Sequence, residues 1–255
     1  MLRANFQTSA SYPLMLSIWM LEIFVIPTVV LFVWLTIINS NSNLEESRQQ
    51  IINYYILLPV VAMFVSAWSG GFLAERIRTG KLSLALTRPF HIFNFYISVN
   101  IVEKIVKTLF LFPFILIAAV GFGFSLSVTP IALIAGIFAI ILGAAMHIII
   151  DLIIGTLSFW LEEVQALINL FDAIYFALGG RVIPFFFLPL AVQATTKWLP
   201  FRYLASFPLE ILTHNLSTSD IIVGLAIQIV WIAITYILLK KLWSAGIKKY
   251  QAYGD

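Results

Sequence analysis

Three ionisable residues stand inside stretches of this chain that are otherwise hydrocarbon. His147 and Asp151 are four residues apart, a spacing that sets them on one face of a helix. There an imidazole and a carboxylate could pair, relay a proton or contact a permeant. Asp172 falls about ten residues into the next apolar run, near mid-bilayer, where a bare carboxylate is costly and usually faces a cavity or a partner. For all three the competing reading is hydrogen bonding that only packs helices together. Glu162 and Glu163 stand side by side like the paired acids of an intramembrane metalloprotease. The three histidines, His91, His147 and His214, fall at different depths, however, so one metal site cannot gather them. Zero cysteines exclude disulfides, thiol catalysis and Cys-ligated metals. No Gly-x-x-x-x-Gly-Lys-Ser/Thr loop is present to cradle ATP phosphates, and no His-Glu-x-x-His or Gly-x-Ser-x-Gly motif occurs. The chain is therefore expected to have no catalytic residue, no metal and no cofactor of its own.

The elements that position these residues must be membrane helices. The chain is 61% hydrophobic and 11% charged, against roughly 25% charged in a soluble domain. At about 20 apolar residues per crossing, 255 residues hold five to seven helices and no sizeable soluble domain. One all-α integral unit over residues 1–255 is expected. The net charge of +3 is explained by topogenic Lys and Arg, so no nucleic-acid partner is expected. The first apolar run is long enough to span, which argues against a cleaved signal peptide.

Six spans are expected, at about residues 14–38, 54–74, 93–124, 130–158, 162–180 and 221–239. Residues 1–13 either lie along the interface or fray, and 39–53, with Glu45, Glu46 and Arg48, form a polar loop. Glu22 sits near the start of the first span at headgroup depth, and Pro27 follows inside it. Gly70 and Gly71 break the second span near its end. Glu103 and Lys107 are placed in the favourable order for a helical ion pair near the start of the third, where Lys104 can snorkel. Pro130 suits a first helical turn, and Glu162 and Glu163 complement the dipole of the fifth helix. From 181 to 219 the pattern changes. Val182 to Ala194 is shorter than the roughly 17 residues needed to cross and contains Pro184 and Pro189, so it dips in and returns. Trp198, Pro200, Tyr203, Phe207 and Pro208 read as interfacial residues on short broken pieces. Asp220 caps the last span, followed by a tail with Lys240, Lys241, Lys248 and Lys249.

The densest charge lies between the second and third spans, where residues 75–90 hold four of the fifteen Lys and Arg. Such a stretch must sit in water or against a partner. Six spans put both termini and residues 75–107 on one side, with eleven Lys and Arg, and leave Arg48, Arg181, Lys197 and Arg202 on the other. By the positive-inside rule the first side is cytosolic and 181–219 is external. Gly80 permits a bend, Arg88-Pro89 stops a helix, and Ile77, Leu82 and Leu86 offer apolar anchors among Glu75, Arg76, Arg78 and Lys81. An amphipathic segment docked in a partner's groove uses such anchors.

The stretch also carries a motif. Ile77-Arg-Thr-Gly80-Lys-Leu82-Ser-Leu-Ala-Leu86-Thr-Arg88-Pro89 resembles the Ile-x-x-Gly-x-Leu-x-x-x-Leu-x-Arg-Pro run of six-helix permease subunits of ABC-2 type ABC transporters. Phe159-Trp160, Gly180-Arg-Val-Ile-Pro184 with Pro189, Leu199-Pro200-Phe201, Pro208 and a Gly246 to Gly254 tail agree in order. The resemblance implies an exporter permease in a bacterial inner or plasma membrane. In it, 75–90 is a coupling helix on a separate ATPase subunit that binds ATP and Mg, and a second permease, the same chain or a homologue, completes the pathway. It implies that the outer pieces, with Pro184, Pro189, Pro200 and Pro208, gate the pathway from outside. The alternatives from other classes are an ion-coupled carrier or channel using Asp172 or His147 with Asp151, and a structural membrane subunit. Against a carrier, no inverted repeat is visible.

Overall fold

The computed structural model describes residues 13–40, 47–87, 92–214 and 216–250. The expectations placed on Arg88, Pro89, His91, Glu45, Glu46, the first twelve residues and the tail beyond Tyr250 lie outside the described residues, as does the side chain of Glu22. Among the described residues every regular element is helical. In chain order these are α1 (Pro13–Asn39), α2 (Arg48–Val65), α3 (Ser69–Arg78), α4 (Leu82–Leu86), α5 (Ile92–Phe122), α6 (Pro130–Thr156), α7 (Gln165–Leu178), α8 (Leu190–Thr196), α9 (Ser206–Thr213) and α10 (Thr218–Lys249). Short 3-10 turns stand at Leu157–Phe159, Phe185–Phe187 and Pro200–Tyr203. Three units are long and apolar enough to cross a membrane: Arg48–Arg78, Pro130–Phe159 and Thr218–Lys249. Ile23–Asn39 and Gln165–Leu178 are shorter apolar helices.

Local sequence accounts for several boundaries. Thr129 Oγ1 accepts from the Ala132 N–H with Pro130 at the first helical position, the arrangement Pro favours because that N–H has no partner anyway. Ser217, rather than Asp220, caps α10, accepting from the Asp220 N–H at 3.2 Å. Asp220 occupies the first turn instead, where its charge suits the dipole. The helix then runs on through Lys249, so the four lysines expected on a separate tail belong to it. The loop expected at 39–53 is also shorter, since α2 begins at Arg48. Glu162 and Glu163 precede α7 by two or more residues and are exposed, so they do not form its first turn. With 14 residues, α7 is about 21 Å long, short of the roughly 30 Å hydrocarbon core.

Hydrogen bonds separate two ends of the molecule. Tyr250 meets Gly80 at one, called here the basic end. Trp34 Nε1 reaches the Val182 carbonyl at 3.1 Å and Tyr54 Oη the Gly180 carbonyl at 2.8 Å at the other. The largest apolar cluster gathers α2, α6 and the 203–211 pieces around Tyr54, Tyr55, Leu58, Met146, Tyr203 and Phe207. The interfacial placement expected for Tyr203, Phe207 and Pro208 is therefore corrected. All eight residues of α9 are buried, and only Trp198 of that group is well exposed, at 62%. Polar satisfaction explains how a broken segment tolerates this. Arg202 Nη2 contacts Glu210 Oε2 at 2.5 Å, and Ser206 Oγ donates to Glu210 Oε1 at 2.7 Å. Burial alone would lower the Arg202 pKa, but the adjacent Glu210 carboxylate outweighs it and holds the guanidinium above its usual value.

Candidate functional site

The second span does not break at Gly70 and Gly71. It breaks four residues earlier, at Ser66, Ala67 and Trp68, where α2 ends and α3 begins. Two helix ends thus meet inside the protein, exposing orphan carbonyls on one side and orphan N–H groups on the other. His147 and Asp151, expected to pair with each other, instead close these two ends. His147 Nδ1 lies 3.0 Å from the Val65 carbonyl; because a carbonyl only accepts, Nδ1 carries the proton. Asp151 Oδ2 accepts from the Gly70 N–H at 2.7 Å, an anion at a helix N-terminus where the dipole favours it. From α5, Lys104 Nζ donates to the Ser66 carbonyl at 2.6 Å, and Asn100 Nδ2 to Ser69 Oγ at 2.5 Å. Trp68 Nε1 donates to the Glu103 carboxylate, which also forms the expected ion pair with Lys107. Gly70 and Gly71 serve α3 itself. A Cβ on Gly70 would lie 2.4 Å from the Asp151 carbonyl oxygen, and one on Gly155 would lie 2.5 Å from the Gly70 oxygen. The two backbones touch, and this contact brings Asp151 to the break.

The basic stretch is a helix end, a turn and one short helix rather than a single helix. Glu75, Arg76, Ile77 and Arg78 form the last turns of α3. Gly80 then takes φ +73°, in the left-handed region that a Cβ disfavours, and α4 follows. The expected anchors divide between two faces. Ile77 and Leu82 point inward, joining Leu73, Tyr96, Leu152 and Phe159 in a second apolar cluster, with Leu82 at 0% exposure. Leu86 stays outward at 45%, joined by Leu84 at 69%, which was not singled out from the sequence. Glu75, Arg78 and Lys81 are exposed beside them, and Arg76 stacks over Phe95 at 4.8 Å. The exposed face thus carries Arg78, Lys81, Leu84 and Leu86.

A cleft runs from the break along α3 to Arg78. Its volume is about 480 Å³, and Trp68, Glu75, Arg78, His147, Asp151 and Asp172 are among its walls. A smaller recess of about 180 Å³ shares Gly71, Glu75, Arg78 and Gln165 and is bordered by Glu162 and Glu163. The three intramembrane candidates and part of the basic stretch, far apart in sequence, therefore line one continuous hollow between α3, α6 and α7. Asp172 is exposed on α7. Gln165 and Asn169 precede it on the same helix, with Gln165 Nε2 donating to Asn169 Oδ1 at 3.0 Å. Positions 165, 169 and 172 fall on one helical face, so α7 turns a polar stripe outward where hydrocarbon would reject it. Among the described residues no group of three or more His, Cys, Asp or Glu could hold a metal.

At the far end each of the four expected prolines opens a short piece. Pro184 precedes Phe185–Phe187, Pro189 precedes α8, Pro200 starts its 3-10 turn, and Pro208 sits in the first turn of α9. Proline suits these positions because its fixed φ fits a helix start and its missing N–H costs nothing there. The Trp68 break, the Lys104 and Asn100 contacts and the outward face of Leu84 had no signal in local sequence. Each depends on a neighbour tens of residues away or on which side the core lies.

The chain matches no curated protein and no solved structure. Residues 24–254 match the family model described as ABC-2 family transporter protein, which covers every element from α2 to α10 and most of α1. With its long apolar helices and a match over nearly its whole length, this chain belongs to the ABC-2 transporter family of membrane proteins.

Proposed function

We propose that the chain is the permease subunit of an ATP-driven exporter, coupled through residues 75–90 to separate ATPase subunits. The observation that carries this reading is the outward face of the Gly80 turn. Arg78, Lys81, Leu84 and Leu86 are all exposed there, cations beside apolar side chains, on a turn whose other face is locked into the core by Leu82. A lone topogenic charge cluster needs no exposed leucines; a helix-in-groove contact does. The ATP and Mg belong to that partner. The termini and the basic end face the cytosol of a cell membrane, in keeping with the eleven-to-four charge asymmetry. Six crossings complete the fold, with α1 and α7 tilted or thinning the bilayer around them. The exposed Gln165, Asn169 and Asp172 stripe supports a second permease, the same chain or a homologue, facing the cleft across a wet pathway, with lipid on the remaining apolar faces. The outer pieces from Pro184 to Pro208 close that pathway from the far side. An ion-coupled carrier using His147 and Asp151 is disfavoured because both side chains are already engaged at the broken span.

The test uses the absence of native cysteines. A cysteine replaces Leu84, and candidate ATPase subunits carrying single cysteines in their surface grooves are co-expressed. A crosslink that forms at Leu84→Cys and responds to ATP supports the reading. Absence of any crosslink, with no ATPase copurifying, refutes it and brings the carrier reading forward.

A further inference from the structure

The most direct route from the basic turn into the membrane runs back up α3, and that route is interrupted at Ser66–Trp68. A second route begins at the other end of the chain. Tyr250, the C-cap residue just beyond α10, places its hydroxyl on the turn, donating to the Gly80 carbonyl at 2.7 Å and accepting from the Ser83 N–H at 3.2 Å. The same carbonyl accepts from Ser83 Oγ at 2.8 Å, so one phenol bridges both ends of the turn. The ring stands edge-on to Phe159 at 6.0 Å. Phe159 in turn meets Trp243 of α10 at 5.6 Å, so the hydroxyl is held from behind by the junction of α6 and α10. From there α10 runs unbroken for 32 residues, about 48 Å at 1.5 Å per residue. At its far half it grips the broken outer pieces. Gln228, 0% exposed, donates to the Tyr203 carbonyl at 3.0 Å and to the Ala139 carbonyl at 2.8 Å. Trp231 Nε1 donates to the Trp198 carbonyl at 3.0 Å.

We infer that Tyr250 is a positioning residue that ties the basic turn to α10, so that α10 carries a displacement of the turn to the outer pieces through Gln228 and Trp231. This rests on the turn being the ATPase contact. The turn is short, and the span that leads back from it is not one continuous helix but is interrupted at Ser66–Trp68. The bridged hydroxyl gives the turn a rigid continuation, and α10 is the continuous helix that touches both the turn and the outer pieces through named hydrogen bonds. Coupling of this kind requires an element whose position both ends bias.

The experiment uses the full chain assembled with its ATPase in vesicles. Ala194→Cys, exposed on α8, reports the outer pieces through its labelling rate with an impermeant maleimide, with and without ATP. Leu84→Cys reports ATPase contact by crosslinking. With Tyr250 intact, ATP changes the Ala194→Cys labelling rate. Tyr250→Phe keeps the ring on Phe159 but removes both hydrogen bonds. It is expected to leave the Leu84→Cys crosslink unchanged and to shrink the ATP effect at Ala194→Cys by at least about fivefold, the low end of coupling between two sites. Gln228→Met, which cuts the far grip, is expected to do the same and decides the matter if Tyr250→Phe does not fold. An undiminished ATP effect in the folded variants overturns the inference, as does an ATP effect absent from Ala194→Cys with Tyr250 and Gln228 intact while the Leu84→Cys crosslink forms. Absence of the Leu84→Cys crosslink with Tyr250 and Gln228 intact overturns the ATPase-contact reading itself, and the inference with it.

Discussion

Gly70 and Gly71 are neighbours in one helix, and alanine in their places is expected to act in opposite directions. By intrinsic propensity both substitutions favour the helix, by at most about 1 kcal/mol. At Gly71 nothing opposes that gain, since an added Cβ meets only Ile168 Cδ1 at 3.8 Å. At Gly70 the Cβ lies 2.4 Å from the Asp151 carbonyl oxygen and 2.6 Å from Oδ1, about 1 Å inside ordinary van der Waals contact. Backbone oxygen cannot swing aside, so α3 must move away from α6 by about that distance. The Gly70 N–H to Asp151 bond, now 2.7 Å, then passes the length at which it counts as a hydrogen bond. Losing a bond to a charged group costs about 1.5–3 kcal/mol, and the overpacking adds about 1–3 kcal/mol. Set against the propensity gain, Gly70→Ala is expected to destabilise by roughly 1.5–5 kcal/mol, while Gly71→Ala is neutral or slightly stabilising. Equilibrium unfolding in mixed micelles with increasing SDS, followed by far-ultraviolet circular dichroism, measures both. A Gly70→Ala protein at least as stable as Gly71→Ala would refute the account of how α3 docks.

Two further outcomes follow from the same contacts. Glu210→Ala leaves Arg202 buried beside the Phe185 ring, 3.8 Å from its centroid, without its carboxylate. It is expected to cost about 3–5 kcal/mol in the same unfolding assay, and Glu210→Gln, which keeps a partial acceptor, less. Leu82→Asp and Leu84→Asp separate the inner from the outer face of the basic turn. The first should destabilise the isolated permease because Leu82 is fully buried. The second should leave its unfolding curve within about 0.5 kcal/mol while weakening ATPase copurification.

Composition and run length alone determined that this is a helical membrane protein, because only helices and closed barrels satisfy the backbone in lipid, and continuous apolar runs of about 20 residues suit a helical crossing rather than the roughly 10-residue alternating strands of a barrel. The motif from Ile77 to Pro89 was also legible, since its glycine, cations and leucines are local signals, as was the Glu103–Lys107 pair, whose partners are one helical turn apart. What the sequence could not supply was anything that depends on a distant neighbour. Four apart on one face, His147 and Asp151 look like a pair; only the packing of α6 against the break shows that they serve Val65 and Gly70 instead. Two adjacent glycines suggest a break, yet they sit inside α3 because Gly155 and Asp151 press against Gly70. Leu82 and Leu86 are alike in type, and only the position of the core assigns one inward and the other outward. The prolines from 184 to 208 announced short pieces correctly. That residues 202–213 are buried while most of α8 stays exposed was decided by tertiary packing, in which the Arg202–Glu210 pair neutralises both charges where water is excluded.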